Sequence, residues 1–211
     1  MQTPGPFEAL SMGSPPRRRA SYDDLLKVPD HLVAELLDGE LFASPRPASP
    51  HAVASSAIGA ALFEAFHRAP GDPTGPGGWW IVDEPELHLG EDVLVPDIAG
   101  WRRELMPVLP NVTAFRQPPQ WVLEVVSPST ARIDRVRKLP IYAREAVANV
   151  WLVDPLARTL EVLRWIEGRW LLVATHGGDE TVRAEPFDAA ELALARWWLP
   201  EAEAASRLEA G

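Results

Sequence analysis

The sequence predicts an α/β (α+β) fold, a mixed central sheet flanked by helices with a β-hairpin near the N-terminus. Three observations predict it. Runs with helix and strand periods follow one another as helix, hairpin, helix, meander, strand, helix and further strands, the order of a sheet with helices packed on it. The run Trp121-Val122-Leu123-Glu124-Val125-Val126 is apolar on both faces apart from one carboxylate, which marks a central strand covered on both sides. A chain of 211 residues, 46% of them hydrophobic, is long and apolar enough for one sizeable core.

In chain order, residues 1–20 (Pro, Gly, Ser, Arg) read as a disordered tail, 21–200 as a single domain and 201–211 as a second tail. Ser21 with Asp24 is a capping-box pattern opening a helix over 22–27. Asp38-Gly39 between the apolar runs 32–37 and 40–43 signals a tight hairpin, with Glu35 on the face of Val33 and Leu37. A Pro-rich link, 44–50, leads to His51 and an alanine-rich helix over 52–67, whose expected stripe is Ala54, Ile58, Ala61 and Ala65. The Pro- and Gly-rich stretch 69–78 is a loop. Strands are expected at 79–82, 86–89, 93–95 and 97–101, followed by a second loop, 102–119, and the central strand 120–126. From Thr130 the chain turns helical. Ile133, Val136, Leu139 and Ala143 form its packed stripe, Asp134 and Lys138 an i,i+4 pair on another face, and Pro140 predicts a break after Lys138. Strands at 149–153, 159–166, 170–175 and near 180–184, then an amphipathic segment 189–198, close the domain.

Composition excludes several function classes. The formal net charge of −10 argues against a general nucleic-acid coat, though not against a local basic groove. There are no cysteines, hence no disulfides or thiolate metal sites, which fits a cytoplasmic setting. No apolar run reaches the roughly eighteen residues of a membrane span, and no apolar segment follows Arg17-Arg18-Arg19 as a secretory signal requires. Phosphate-loop, serine-hydrolase and zincin motifs are absent, and His31, His67, His88 and His176 lack ligand spacing.

The residue pattern leaves one candidate site. A carboxylate at Glu124, inside a buried strand, needs a cation or a donor; the alternatives are a divalent metal, with the Val125 carbonyl as a further oxygen, and a structural ion pair. Asp97, after Pro96, is either a second ligand or a strand-edge aspartate. Lys138 is either a solvated helix lysine or the group that holds the attacking water and stabilises charge on phosphorus, oriented by Asp134. Arg132, Arg135 and Arg137 surround it in sequence and are suited to a phosphodiester backbone. His51 is either a helix-terminus histidine or a contact to substrate or to a dimer partner. The pairs Trp79-Trp80 and Trp197-Trp198 suit a core or an oligomer seam better than base stacking.

These segments together resemble the Uma2 family, restriction-endonuclease-like proteins of the PD-(D/E)XK nuclease fold. The residues that carry the resemblance are Pro96-Asp97, the run from Leu123 to Thr130, Asp134 with Lys138-Leu139-Pro140-Ile141-Tyr142, and Val150 to Pro155. The opening hairpin from Glu35 to Leu41 and Ser49-Pro50-His51 carry it as well, so it spans about 21–173. The resemblance implies Asp97 and Glu124 as metal ligands, Lys138 as the catalytic lysine and Glu35 as a further acid of the site. The superfamily's lysine two residues after the second carboxylate is replaced here by Val126, so Lys138 is its migrated equivalent. Where relatives carry glycine, Ala146 leaves the ending of the helix in question.

The expected activity is metal-dependent hydrolysis of nucleic-acid phosphodiester bonds, with DNA as the expected polymer and Mg²⁺ or Mn²⁺ as cofactor. Specificity is assigned to loops 69–78 and 102–119. The alternatives are a catalytically silent module of the same fold that binds DNA or a protein partner, and a structural oligomer with a buried Glu124–Lys138 pair. Trp-rich strands toward the C-terminus suggest a homodimer.

Overall fold

The structure, a computed structural model, describes residues 18–200; the tail readings at 1–17 and 201–211 lie outside the described residues. The predicted fold class is the one observed. In order the elements are α1 (Tyr22–Leu25), β1 (Leu32–Leu37), β2 (Glu40–Pro45), α2 (Ser49–Phe66), β3 (Trp79–Asp83), β4 (Leu87–Leu89), β5 (Asp92–Leu94), β6 (Ile98–Arg102) and β7 (Trp121–Val125). A helical crossover follows: α3 (Ala131–Ile133), a π-helical turn (Asp134–Lys138) and α4 (Leu139–Arg144). The chain then runs through β8 (Asn149–Asp154), β9 (Thr159–Ile166), β10 (Arg169–Gly177), β11 (Thr181–Val182), β12 (Leu192–Ala193) and a 3₁₀ turn (Leu194–Arg196). Among the described residues no helix is long and apolar enough to cross a membrane.

Six strands form the main sheet in the order β10-β9-β8-β7-β6-β3, and four form a smaller one, β2-β1-β5-β4. The hairpin turns as expected: Asp38 and Gly39 have φ of 52° and 79°, both in the region that two-residue hairpin loops require. In the main sheet only β7 and β8 run parallel, joined by the helical crossover that parallel pairing demands. β7 is interior and all five of its residues are buried.

Alternation along β7 sorts its side chains onto two faces. Trp121, Leu123 and Val125 join α2, Phe187 and Trp197 in one core. Val122 and Val126 join Leu37, Ile141 and Tyr142 in the other, so Glu124 points toward the hairpin and the crossover helix. Each fully buried Leu, Ile or Val contributes roughly 1.5–3 kcal/mol, which holds the floor of this second face rigidly.

Three expectations need correction. The stripe of α2 is Ala54, Ile58, Leu62 and Phe66, with Ala61 and Ala65 only partly buried, because the larger side chains reach the aromatic core. The crossover buries Asp134, Lys138, Ile141 and Tyr142, whereas Val136 is 56% exposed. The helix does not break at Pro140. The Leu139 N–H donates to the Asp134 carbonyl five residues back, and this wider turn takes up the clash and the lost bond that proline imposes. The tryptophan expectation holds for Trp79, Trp197 and Trp198, which are core residues, so they supply no oligomer seam.

The departure at Ala146 is also resolved. The Ala146 N–H bonds to the Ala143 carbonyl (3.1 Å) and the Val147 N–H to the Tyr142 carbonyl (2.9 Å), the pairing of a Schellman ending. Ala146 therefore takes φ 57°, a left-handed conformation that strains an L side chain. The residue is exposed, so its methyl loses little packing if removed. Ala146→Gly is expected to stabilise the fold by about 0.5–1 kcal/mol, read as an upward shift of the urea midpoint at constant slope. An unchanged or lowered midpoint contradicts this account of the helix end.

Candidate active site

Glu35, Asp97, Glu124 and Lys138 come from segments far apart in the chain and meet beneath the hairpin. Glu35 points inward from the middle of β1, Asp97 sits where the chain enters β6, Glu124 lies one residue before the end of β7, and Lys138 closes the π turn. The Lys138 Nζ donates to Glu124 Oε2 at 3.0 Å, lies 2.9 Å from Glu35 Oε1, and is 3.6 Å from Asp134 Oδ1. The Tyr142 hydroxyl, four residues after Lys138 on the same helical face, donates to Glu124 Oε1 at 2.5 Å. Glu35 Oε1 also accepts the Val95 N–H at 2.8 Å. Asp97 is fixed from both sides: Oδ2 accepts the Val125 N–H at 2.6 Å, and Oδ1 lies 2.5 Å from His51 Nε2 on the first turn of α2.

Glu35, His51, Asp97, Glu124, Asp134 and Lys138 line one cavity of about 340 Å³. The 44–48 link and the Ser127–Thr130 corner line it as well. That corner is tied internally: the Ser127 N–H donates to Thr130 Oγ1 at 3.1 Å, and the Ser127 and Ser129 hydroxyls lie 2.9 Å apart.

The cluster is short of positive charge. Glu124 is 2% exposed, and burial, together with Asp134, Asp97 and Glu35, pushes its carboxyl well above the usual carboxylate range in spite of Lys138. Burial likewise raises Asp134. For Lys138 burial works to lower the pKa, but Glu124, Glu35 and Asp134 hold it well above the ordinary lysine value. Tyr142 is raised by burial and by Glu124. The amine is therefore an ammonium at neutral pH, a donor and a charge rather than a base.

The donor chemistry suits a hard divalent ion, since carboxylate oxygens outnumber the one buried ammonium. Among the described residues no three His, Asp or Glu side chains form a ready-made cage, because Lys138 lies between Glu35 and Glu124 while Asp97 is engaged by His51 and a backbone amide. Asp97 and Glu124 would hold such an ion with water and substrate phosphate oxygens, as Mg²⁺ is usually held.

Other expectations fall outside this cavity. Arg135 pairs with Glu161 (3.1 Å), Arg137 pairs with Glu40 (3.0 Å), Arg132 is exposed, and none of the three lines it. Neither loop 69–78 nor loop 102–119 lines it; the second sends Met106 and Phe115 into the core. Sequence alone assigns no role to Tyr142 or to Arg46. Tyr142 was detectable from its spacing to Lys138, whereas Arg46, the arginine that does line the cavity, carries no pattern that marks it.

Comparison with known proteins agrees with this architecture. The family Uma2, described as "Putative restriction endonuclease", matches residues 20–195. No curated protein matches the chain. The crystal structure of a "putative nuclease belonging to DUF820" from Anabaena variabilis ATCC 29413 superposes with a TM-score of 0.66 at 20% identity, covering 84% of this chain and 98% of that one, a likeness of fold.

The raised carboxyls have a consequence for stability. The folded state holds the protons of Glu124 and Asp134 more tightly than the unfolded chain does, so their contribution is lost as pH rises from the ordinary carboxylate range through the raised values. The contribution of Lys138 persists until pH passes its own raised value. Between about pH 5 and about pH 8 the melting temperature of the wild type is expected to fall by a few degrees relative to Glu124→Gln, which has no charge to bury at that position. Parallel melting curves across this window contradict the electrostatic account.

Proposed function

Because the chain belongs to the Uma2 family, we propose that it is a metal-dependent endonuclease hydrolysing nucleic-acid phosphodiester bonds, with DNA the favoured polymer. The observation that supports this best is the Lys138 ammonium within 3.0 Å of Glu124 and Glu35, in the cavity that Asp97 also lines. Asp97 and Glu124 are the proposed ligands of Mg²⁺ or Mn²⁺, which when bound supplies Lewis acidity toward a phosphoryl oxygen. His51 and the Val125 amide hold Asp97 in place, and Tyr142 fixes Glu124. Lys138 donates to the attacking water or to a non-bridging oxygen and offsets the charge that develops on phosphorus. The water oxygen bonds to phosphorus as the bond to the leaving oxygen breaks; the proton lost by water passes to solvent and the leaving oxygen takes one up. Glu35 keeps the ammonium charged and positioned.

One observation favours a second reading. The Lys138–Glu124 pair is already closed at 3.0 Å and is buried, as a purely structural ion pair would be in a non-catalytic module of this fold. Metal binding separates the two. In the enzyme, added Mn²⁺ raises the melting temperature and Asp97→Asn abolishes the rise; in the structural reading no rise occurs.

The activity test incubates the full chain with supercoiled plasmid, single-stranded DNA and RNA in Mg²⁺, Mn²⁺ or EDTA. Cleavage that needs metal and falls by about 10²-fold or more in Lys138→Met is expected. Lys138→Met leaves buried carboxylates uncompensated at about 3–5 kcal/mol, so Lys138→Arg, which retains the charge, serves as the folded control and is expected to be impaired as well. Equal cleavage by wild type and both variants, or none by the wild type in any metal, overturns the proposal.

A further inference from the structure

The main sheet has two edges, and they are built differently. At β3 the edge is closed from within: the Ile81 N–H donates to His67 Nδ1 at 3.0 Å, and the Trp79 carbonyl accepts from Arg103 Nε at 3.1 Å. In the smaller sheet the edge at β4 is covered by the 102–119 loop, where the His88 N–H donates to the Phe115 carbonyl and the Phe115 N–H to the Glu86 carbonyl, both at 2.8 Å. β10 has no such cover. It ends the main sheet, it is nine residues long, and among the described residues the backbone of 169–176 makes no hydrogen bond outside its pairing with β9. An antiparallel edge strand turns every second N–H and C=O outward, so a row of open donors and acceptors about 30 Å long remains.

Natural proteins guard exposed edges with lysines, prolines or a bulge. Between Arg169 and His176 the strand reads Trp170-Leu171-Leu172-Val173-Ala174-Thr175, without a charge or a proline, and Leu171 and Leu172 are 45% and 52% exposed. The one irregularity is a register shift between Leu172 and Ala174, which leaves Val173 as a bulge. That bulge makes the outer side of the strand self-complementary. Arg169, Leu171, Ala174 and His176 lie opposite Ile166, Arg164, Val162 and Leu160, alternate residues of β9, so all four share one face. Antiparallel pairing of β10 with a second β10 therefore sets Arg169 opposite His176 and Leu171 opposite Ala174, each pair on a common face. The charges match too. Arg169 is exposed and makes no ion pair among the described residues, while His176 Nδ1 lies 3.4 Å from Glu180 Oε2 on a half-exposed side chain. The guanidinium of one copy thus comes beside a carboxylate of the other, and symmetry repeats the contact.

We propose that β10 is the seam of a two-fold homodimer, in which two copies pair this strand antiparallel and their main sheets become continuous. A second copy is the partner that fits, because a two-fold axis brings each Arg169 to the other copy's Glu180 while the apolar middle of the strand meets itself. An isologous contact of this kind closes at two copies and covers both open edges at once. No residue of β10 lines the cavity that holds Lys138, so the dimer and the phosphodiesterase reading stand or fall separately.

The test is sedimentation velocity on the full chain over about 1–100 μM. The wild type is expected to form dimers within this range, and Leu172→Lys, which places two ammonium groups near the two-fold axis, to need at least about tenfold higher concentration. Arg169→Glu and Glu180→Lys separate pairing from any loss of fold, which far-UV circular dichroism checks for each variant. Alone, each variant sets like charges together at both ends of the seam and is expected to be monomeric. Mixed in equal amounts, they restore an opposite-charge contact at both ends, and the mixture is expected to dimerise. A wild type that stays monomeric throughout, or a dimer that Leu172→Lys leaves unchanged, overturns the inference. So does a mixture no more dimeric than its components, or a wild type that grows into species larger than two.

Discussion

A buried ammonium that must satisfy more carboxylates than it can neutralise is the constraint from which the rest of this molecule follows. Lys138 contacts Glu124 and Glu35 within 3.0 Å and approaches Asp134 at 3.6 Å, all at positions almost closed to water. Withdrawing charges from solvent costs several kcal/mol per ion, and only close pairing offsets it. Further donors hold three acids of the site: the Tyr142 hydroxyl holds Glu124, the Val95 amide Glu35, and His51 and the Val125 amide Asp97. The surplus negative charge that remains is the physical basis for expecting a divalent cation and a phosphate there.

The architecture serves that cluster. The interior strand β7 presents Glu124 at its end, where the sheet opens, and the parallel step from β7 to β8 sends a helix back over the same face. Pro140 and the π turn before it set the face on which Lys138 and Tyr142 lie, so an irregularity of the helix aims both groups at Glu124. The hairpin completes the enclosure, its inner face carrying Glu35 to Lys138 and Leu37 to the core. The same enclosure makes the charges strong, because the site has a low dielectric.

Much of this was legible in the chain. Asp38-Gly39 dictates its hairpin because both positions need positive φ, and the apolar run around Glu124 dictates a central strand because neither of its faces is polar. A carboxylate there marked a candidate site by local rules, whereas Asp97 and Lys138 gained their roles from the family resemblance. The local rules failed where a partner distant in sequence decided the outcome. Val136 suited a packed stripe but faces solvent, because the buried side of the crossover is claimed by the charges that meet Glu124 and Glu35. Arg135 and Arg137 read as a basic patch, yet acids on β9 and on the hairpin had already engaged them. Secondary structure, the central strand and the candidate carboxylate at Glu124 were thus set by the sequence itself, through period, turn chemistry and the cost of a lone buried charge. Which arginine lines the cavity and how His51 and Tyr142 fix the acids were decided by tertiary structure, because each depends on contacts between residues tens of positions apart that no local pattern encodes.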